Sequence, residues 1–434
     1  MILLRKVRLL APAKNFKVIK AALAYADEFY FGVQKFNMRM QADNFKIQDL
    51  PRIARLLHDE GKYAILATNI LIYESELPQL RKTLQKAYEA EIDAIIVHDF
   101  ATIELAREIG IPFHISTQCN VSNSIAAKFY EKLGASRIIL ARECSLEQIR
   151  EIKTKVKKVQ IEVFVHGAMC TSVSGRCYFS QDIAGTAEKS ANRGECMQPC
   201  RRRWWVYDET TKEYIYDGER FLNSRDLCMI AHIPQLIEAK IDCFKIEGRM
   251  REPNYVEVVT KCYREAIEAY YQGNFSNRKV KRWIKELKKV YNRGFTTGFY
   301  FGRPTEKDHQ HKSPSNLSHF RMIELGKIKN YSPKSKIATV TLTNGKLRIK
   351  DEIYIIGPKN SETYFSQVVQ FLKLNGKKAS ITPPATKDNP ILVELKLEKP
   401  ANQGDKICIF TDKTYRHRKS RKIPKKKSDY YKLT

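Results

Sequence analysis

From residue 8 to 167 the chain alternates short β-branched runs with longer stretches whose apolar residues recur every three or four positions. That is the rhythm of βα units around a parallel sheet. The runs fall at 8–10, 29–31, 64–67, 94–97, 113–116, 137–141 and 162–165, and an eighth, 243–246, arrives only after a long insertion. Helical period marks 47–58, 76–90, 102–109, 122–133 and 146–156. Eight units close most simply into an α/β (β/α)8 TIM-like barrel, although a doubly wound open sheet would give the same local rhythm. No GxGxxG follows the first run, which disfavours a dinucleotide-binding sheet. Two further helices, 255–271 and 279–290, finish the barrel; the lysines and arginine of the second form either a solvated face or an RNA-facing one. From about Arg321 the texture changes to short alternating runs, 338–342, 352–356, 364–370, 391–397 and 406–410, parted by turn residues, which predicts a small C-terminal β-barrel domain. The expected organisation is therefore a barrel over 1–315 with an insertion at 168–228, a β domain over 316–410, and a basic, disordered tail over 411–434.

A length of 434 residues suits such a division, since single cores stop growing at about 250–300 residues. No apolar run approaches the ~20 residues of a membrane helix, and Met1 to Leu10 carries Arg5, Lys6 and Arg8 without a small-residue cleavage site. The chain thus reads as cytoplasmic, with no membrane partner. Charge sharpens the picture: 77 Lys and Arg against 48 Asp and Glu leave a net +29, a field that draws in polyanions, nucleic acid foremost. A Lys-rich proteome would be the plainer explanation of the same number.

A barrel places its chemistry in the loops after the strands. Polar residues recur there: Asn15, Arg39, Asn69, His98 and Asp99, Gln118 and Asn120, Arg142 and Glu143, His166, then Glu247 and Arg249. Any one of them could be a cap or turn residue. Five of the ten cysteines crowd between 170 and 228: Cys170, Cys177, Cys196, Cys200 and Cys228. Cys-x6-Cys and Cys-x3-Cys pairs from one loop region suit a soft metal or an iron-sulfur cluster. Zinc competes, but its pairs are usually spaced by two to four residues.

At these residues the sequence resembles the collagenase-like peptidase family U-32. The likeness runs through Glu162 to Cys170 and on to Gly175-Arg176-Cys177, with Phe179 where an aliphatic residue is usual. It extends to Leu10 to Phe16, where Lys14 replaces a preferred glycine, and to Ala42 to Phe45, Ser116-Thr117-Gln118, Asn223 to Cys228, Lys245 to Met250 and Asn292 to Tyr300. The family name implies proteolysis, yet there is no HExxH and no GxSxG. The nearest likeness is to the family's prephenate-dependent tRNA uridine hydroxylases, which implies C5-hydroxylation of the wobble uridine with prephenate as hydroxyl donor and a 4Fe-4S cluster. The alternatives are a collagenase-like peptidase, an rRNA hydroxylase, and an RNA-binding or iron-sulfur accessory protein. The resemblance implies tRNA or rRNA as partner and leaves room for a partner protein of the same family. On this reading four of Cys170, Cys177, Cys196, Cys200 and Cys228 hold the cluster, with Cys228 preferred to Cys200 as fourth ligand. Arg39, Arg142 and Arg249 clamp the dicarboxylate, and Glu247, Gln118 and His166 complete the catalytic set.

Overall fold

The computed structural model describes residues 6–311, 313, 315–359 and 361–412. These fall into two compact units that divide between Ser318 and His319. In the first, β1 (Arg8–Pro12), β2 (Glu28–Phe31), β3 (Tyr63–Thr68), β4 (Ala94–Val97), β5 (Phe113–Ile115), β6 (Arg137–Ile139) and β7 (Gln160–Ala168) pair in parallel and in order. The insertion then contributes a hairpin of β8 (Trp204–Asp208) and β9 (Glu213–Glu219), and β10 (Asp226–Cys228). The barrel closes through β11 (Cys243–Ile246), which pairs in parallel with both β1 and β7. All eight runs read from the sequence are barrel strands, and the fold is the expected TIM-like barrel. The strands are nearly continuous apolar runs because both faces are covered, as in Ala94–Val97, where every residue is buried.

Helices start where the sequence offers an acceptor. Asn15 caps the helix Phe16–Ala22 through Val18 N, and Asp99 caps Phe100–Ile109 through Ala101 N. Ser145 and Gln148 form a reciprocal box at the start of Leu146–Lys155. Several polar residues after strands are therefore structural.

The hairpin β8–β9 was not expected from the sequence, and neither was β10, which pairs antiparallel with the end of β7 so that Cys228 lies opposite His166. A short strand β12 (Phe295–Thr296) extends the sheet beyond β10. Among the described residues no helix is long and apolar enough to cross a membrane.

The second unit is one antiparallel sheet. Its strands are β13 (Phe320–Ser332), β14 (Ile337–Leu342), β15 (Glu352–Ile356), β16 (Tyr364–Val368), β17 (Leu372–Leu374), β18 (Lys377–Lys378), β19 (Ile391–Lys396) and β20 (Lys406–Asp412). It curls over an aliphatic core that includes Leu325, Val340, Ile355, Val393 and Ile407. Gln367 on β16 bridges the curl to Lys396 O and Glu398 N, each at 2.9 Å. Of the basic tail expected from 411, residues 411 and 412 finish β20, and 413–434 lie outside the described residues.

Charge is buried where the barrel strands begin. Arg137 on β6 donates to Glu28 on β2 (2.8 Å) and Glu162 on β7 (3.0 Å). Lys245 on β11 reaches Glu162 at 2.8 Å, and Arg8 on β1 reaches Glu28 at 2.7 Å. Burial pushes the Glu28 carboxyl up, but the hydrogen bonds and charges of Arg137 and Arg8 outweigh it and hold the group below its ordinary value. His114 lies beside these cations, and burial together with Arg137, Lys245 and Arg8 pushes it well below the usual imidazole range, so it stays neutral.

Breaking such a network from one side leaves unpaired buried carboxylates. Arg137→Ala is therefore expected to cost about 3–5 kcal/mol in denaturant unfolding of the purified protein, whereas Arg81→Ala, which removes an exposed ion pair, should cost ~0–1 kcal/mol. Because Glu28 titrates lower when folded, its contribution is present above the carboxylate range and lost as pH falls through the folded value. Thermal melts should show stability dropping below about pH 4 more steeply in wild type than in Glu28→Gln.

Candidate active site

Past the other ends of the strands the loops surround a cavity of about 490 Å3. One wall is the loop after β2. Asn37 is fully buried, donates to Val33 O (2.6 Å) and accepts from Arg39 N (3.0 Å), while Asn44 donates to Arg39 O (2.9 Å). Arg39 is thereby held over the cavity, where its guanidinium pairs with Glu247 at 3.3 Å. From the far side Arg142 donates to Ala168 O (2.8 Å), stacks 3.9 Å from the Phe164 ring centroid and approaches Glu247 at 3.8 Å. Burial alone would raise the Glu247 carboxyl, but Arg39, Arg142, Arg249 and Lys245 lower it more, so it is a carboxylate between two arginines. Glu247 can orient cations; it is poorly suited to hold a proton.

The insertion forms the roof. Cys170, Cys177, Cys196 and Cys200 all line the cavity. Gly194, at φ +85°, seats the roof on the β2 loop: its carbonyl accepts from Met40 N at 3.2 Å, and a Cβ there would collide with Asn37 O. Glu143 anchors the segment between the first two cysteines by accepting from Ser174 N (2.8 Å) and Ser174 Oγ (2.9 Å). Gln198 N donates to Cys196 Sγ at 3.4 Å. Burial raises the thiols of Cys196 and Cys200, opposed by Arg39 at the first and Arg201 at the second. Among the described residues, no three His, Cys, Asp or Glu side chains already converge on one metal position.

Three sequence expectations change here. Cys228 does not join the other thiols: it is buried on β10 beside the Tyr263 hydroxyl (4.0 Å) and burial pushes it up to about 11, so the fourth cysteine at the cavity is Cys200. His166 lies in an aromatic box of Tyr255, Tyr263 and Phe295, and burial pushes it down to about 3. It is a neutral core histidine, and among the described residues no histidine lines the cavity. Arg249 points away from the cavity. Its guanidinium is buried and donates to Asn37 Oδ1 (2.8 Å) and to Asn44 Oδ1, and burial lowers it to about 10. It positions the loop that carries Arg39. Gln118 does line the cavity, with Asn69 donating to its Oε1 at 3.1 Å.

The sequence reading missed three cavity arginines. Arg201 is buried and donates to Asn223 Oδ1 (2.9 Å) and Met169 O (2.6 Å). Arg293 pairs with buried Asp226 at 2.7 Å. Arg251 lies 3.4 Å from the Tyr291 ring centroid and makes no ion pair among the described residues. The cavity wall thus holds Arg39, Arg142, Arg201, Arg251 and Arg293 against Glu143 and Glu247, an excess of cations suited to an anionic ligand.

A barrel with a cysteine-lined, arginine-rich cavity at its loop end is the class of protein that this geometry defines. Residues 14–310 match the model of Peptidase family U32, and the chain belongs to that family. It is 40% identical to an uncharacterized protease of Methanocaldococcus jannaschii over 94% of this chain and 98% of that one. It is 38% identical to a collagenase of Porphyromonas gingivalis over 81% and 86% of the two chains. To tRNA hydroxylation protein P1 of Bacillus subtilis it is 33% identical over 82% and 85%.

The roles assigned to Arg249 and Arg251 differ in a measurable way. Arg249→Ala empties a buried position, takes one of two donors from Asn37 Oδ1 and removes the donor to Asn44 Oδ1, and is expected to destabilise the protein by about 2–4 kcal/mol. Arg251→Ala should leave the unfolding midpoint within about 1 kcal/mol of wild type. Equal losses in chemical denaturation would refute the distinction.

Proposed function

We propose that this protein hydroxylates C5 of a pyrimidine in RNA, the wobble uridine of tRNA, with prephenate as the hydroxyl donor and a 4Fe-4S cluster bound by Cys170, Cys177, Cys196 and Cys200. The observation that carries the reading is the cavity itself, whose wall carries four soft thiol donors and five arginines. The relative of Bacillus subtilis named for tRNA hydroxylation and the net charge of +29 support an RNA substrate. The donor set fits an iron-sulfur cluster: it is all sulfur, and the Gln198 N–H to Cys196 sulfur bond is of the kind that tunes such clusters. When bound, the cluster would offer an open iron site or pass on to an electron acceptor the two electrons released when hydroxide from prephenate replaces the C5 hydrogen.

The protein's own residues set the stage for the reaction. A dicarboxylate entering the cavity meets Arg39 and Arg142, already oriented by Glu247, and Arg251, which has no carboxylate partner among the described residues. Two fixed cationic positions hold such a donor at both ends and leave its reacting carbon little freedom. A wobble base already lies in a single-stranded loop, so bringing it to the barrel mouth costs little unstacking. Proteolysis is less well served, because no histidine among the described residues lines the cavity to activate a cysteine or serine.

The test is mass spectrometry of tRNA nucleosides from cells that lack the gene and carry either wild type or a variant. Wild type is expected to restore 5-hydroxyuridine, and Cys200→Ala to abolish it. Cys228→Ala should retain it, because that thiol lies outside the cavity. Restoration by Cys200→Ala together with loss in Cys228→Ala would return the fourth-ligand role to Cys228.

A further inference from the structure

Beside the cavity mouth the loops after β3, β4 and β5 and the roof segment are tied into one face. Ile72 N donates to Asp99 (3.2 Å), Arg176 reaches Gln118 O (3.2 Å) and the His98 ring (3.5 Å), and Cys177 N donates to Asn192 (3.0 Å). Gln118 and Cys177 belong to the cavity wall, so this face continues the cavity outward. It displays rings where a soluble surface normally offers polar groups: Tyr73, Phe100, Phe129 and Tyr178 are each more than half exposed. Phe129 lies at the edge of this face, its ring against that of its neighbour Tyr130, which hydrogen-bonds Cys119 in the loop after β5. Two guanidiniums lie among the rings: Arg193, 4.7 Å from the Tyr73 centroid and paired with Glu76, and Arg176, which has no carboxylate partner among the described residues and is the cation left for phosphate.

We infer that this face is a stacking platform for unpaired RNA bases, which leads a single-stranded loop to the cavity. Rings interleaved with arginine are what sequence-tolerant single-strand binding requires, because every base offers a π face and every nucleotide a phosphate. Charge selects RNA over a basic protein as occupant, since residues 1–318, which carry this face, are themselves +13, with 51 Lys and Arg against 38 Asp and Glu. The contrast lies within the same unit. The hairpin β8–β9 also exposes rings, Trp205, Tyr207 and Tyr214, but residues 204–219 carry five acids and one lysine, so these rings stand among carboxylates, with Arg202, Arg203 and Arg220 only at the hairpin's base. The inference deepens the proposed function by locating the docking surface, and it rests on RNA being the substrate.

The test measures binding, not hydroxylation, and uses the full chain. An RNA stem-loop and a fully paired duplex of equal length are titrated at several salt concentrations against wild type, Phe100→Ala/Phe129→Ala/Tyr178→Ala, and Trp205→Ala. The triple variant is expected to bind the stem-loop at least about tenfold more weakly with an unchanged salt slope, and the duplex as wild type does. Trp205→Ala should change neither. Equal stem-loop affinity for the triple variant and wild type overturns the inference, as does a fall in self-association, measured by sedimentation, with RNA binding unchanged. Wild type that binds the stem-loop through this face yet makes no 5-hydroxyuridine in cells would defeat the proposed reaction and leave the platform standing.

Discussion

The barrel is held in register by charge. Glu28 and Glu162 are shared among Arg8, Arg137 and Lys245, so five of the eight strands, including the pairs β1–β2, β6–β7 and β7–β11, are linked by buried ion pairs at the end where the strands begin. A slip of one residue in any of these strands would turn a charged side chain out of the network, leave its partner unpaired in the core and cost several kcal/mol. A fixed register at this end means fixed loop positions at the other, and Arg39, Arg142 and Glu247 can meet only if β2, β6 and β11 end at set heights. The division follows the usual one for this fold, with stability at one face and chemistry at the other.

The loop end uses a second arrangement of the same kind, in which buried polar groups hold a functional one. Arg249 grips Asn37 and Asn44, Asn37 and Asn44 shape the loop bearing Arg39, and Arg39 meets Glu247 two residues before Arg249. Gly167, at φ +107°, lets β7 approach this turn so closely that any Cβ would strike Glu247 O. The roof reaches the same place from the insertion, through Gly194 on the β2 loop and Glu143 on the Ser174 segment. The cavity is thus assembled from segments far apart in the chain.

Much of this was legible in the sequence, for physical reasons. Strands buried on both faces must be apolar throughout, so all eight stood out, and the cysteines marked the roof. What the sequence hid was direction. Beyond Ile246 the chain leaves β11 and the period of two no longer applies, so nothing in the spacing of Glu247, Arg249 and Arg251 says that the first and third face the cavity while the second turns inward. His166 and Cys228 were misplaced for a related reason: both lie on strands whose antiparallel pairing was not foreseen, and that pairing buries them together. Arg201 and Arg293 stood in stretches that had already drawn notice, Cys200-Arg201 and Asn292-Arg293-Gly294, but neither follows a barrel strand. The β8–β9 hairpin was overlooked because its alternation, Trp204 to Asp208, is brief and sits among cysteines that suggested a loop.

The central claim is that the arginine-lined cavity delivers a hydroxyl group from a bound dicarboxylate to RNA. Its most direct test is isotopic: the purified protein, reconstituted with iron and sulfide, is incubated with unmodified tRNA and prephenate whose hydroxyl oxygen is 18O, and the nucleosides are analysed by mass spectrometry. The account predicts 5-hydroxyuridine carrying the heavy oxygen, and none when prephenate is left out. 5-Hydroxyuridine formed with ordinary oxygen from water or air, or formed equally without prephenate, would contradict it.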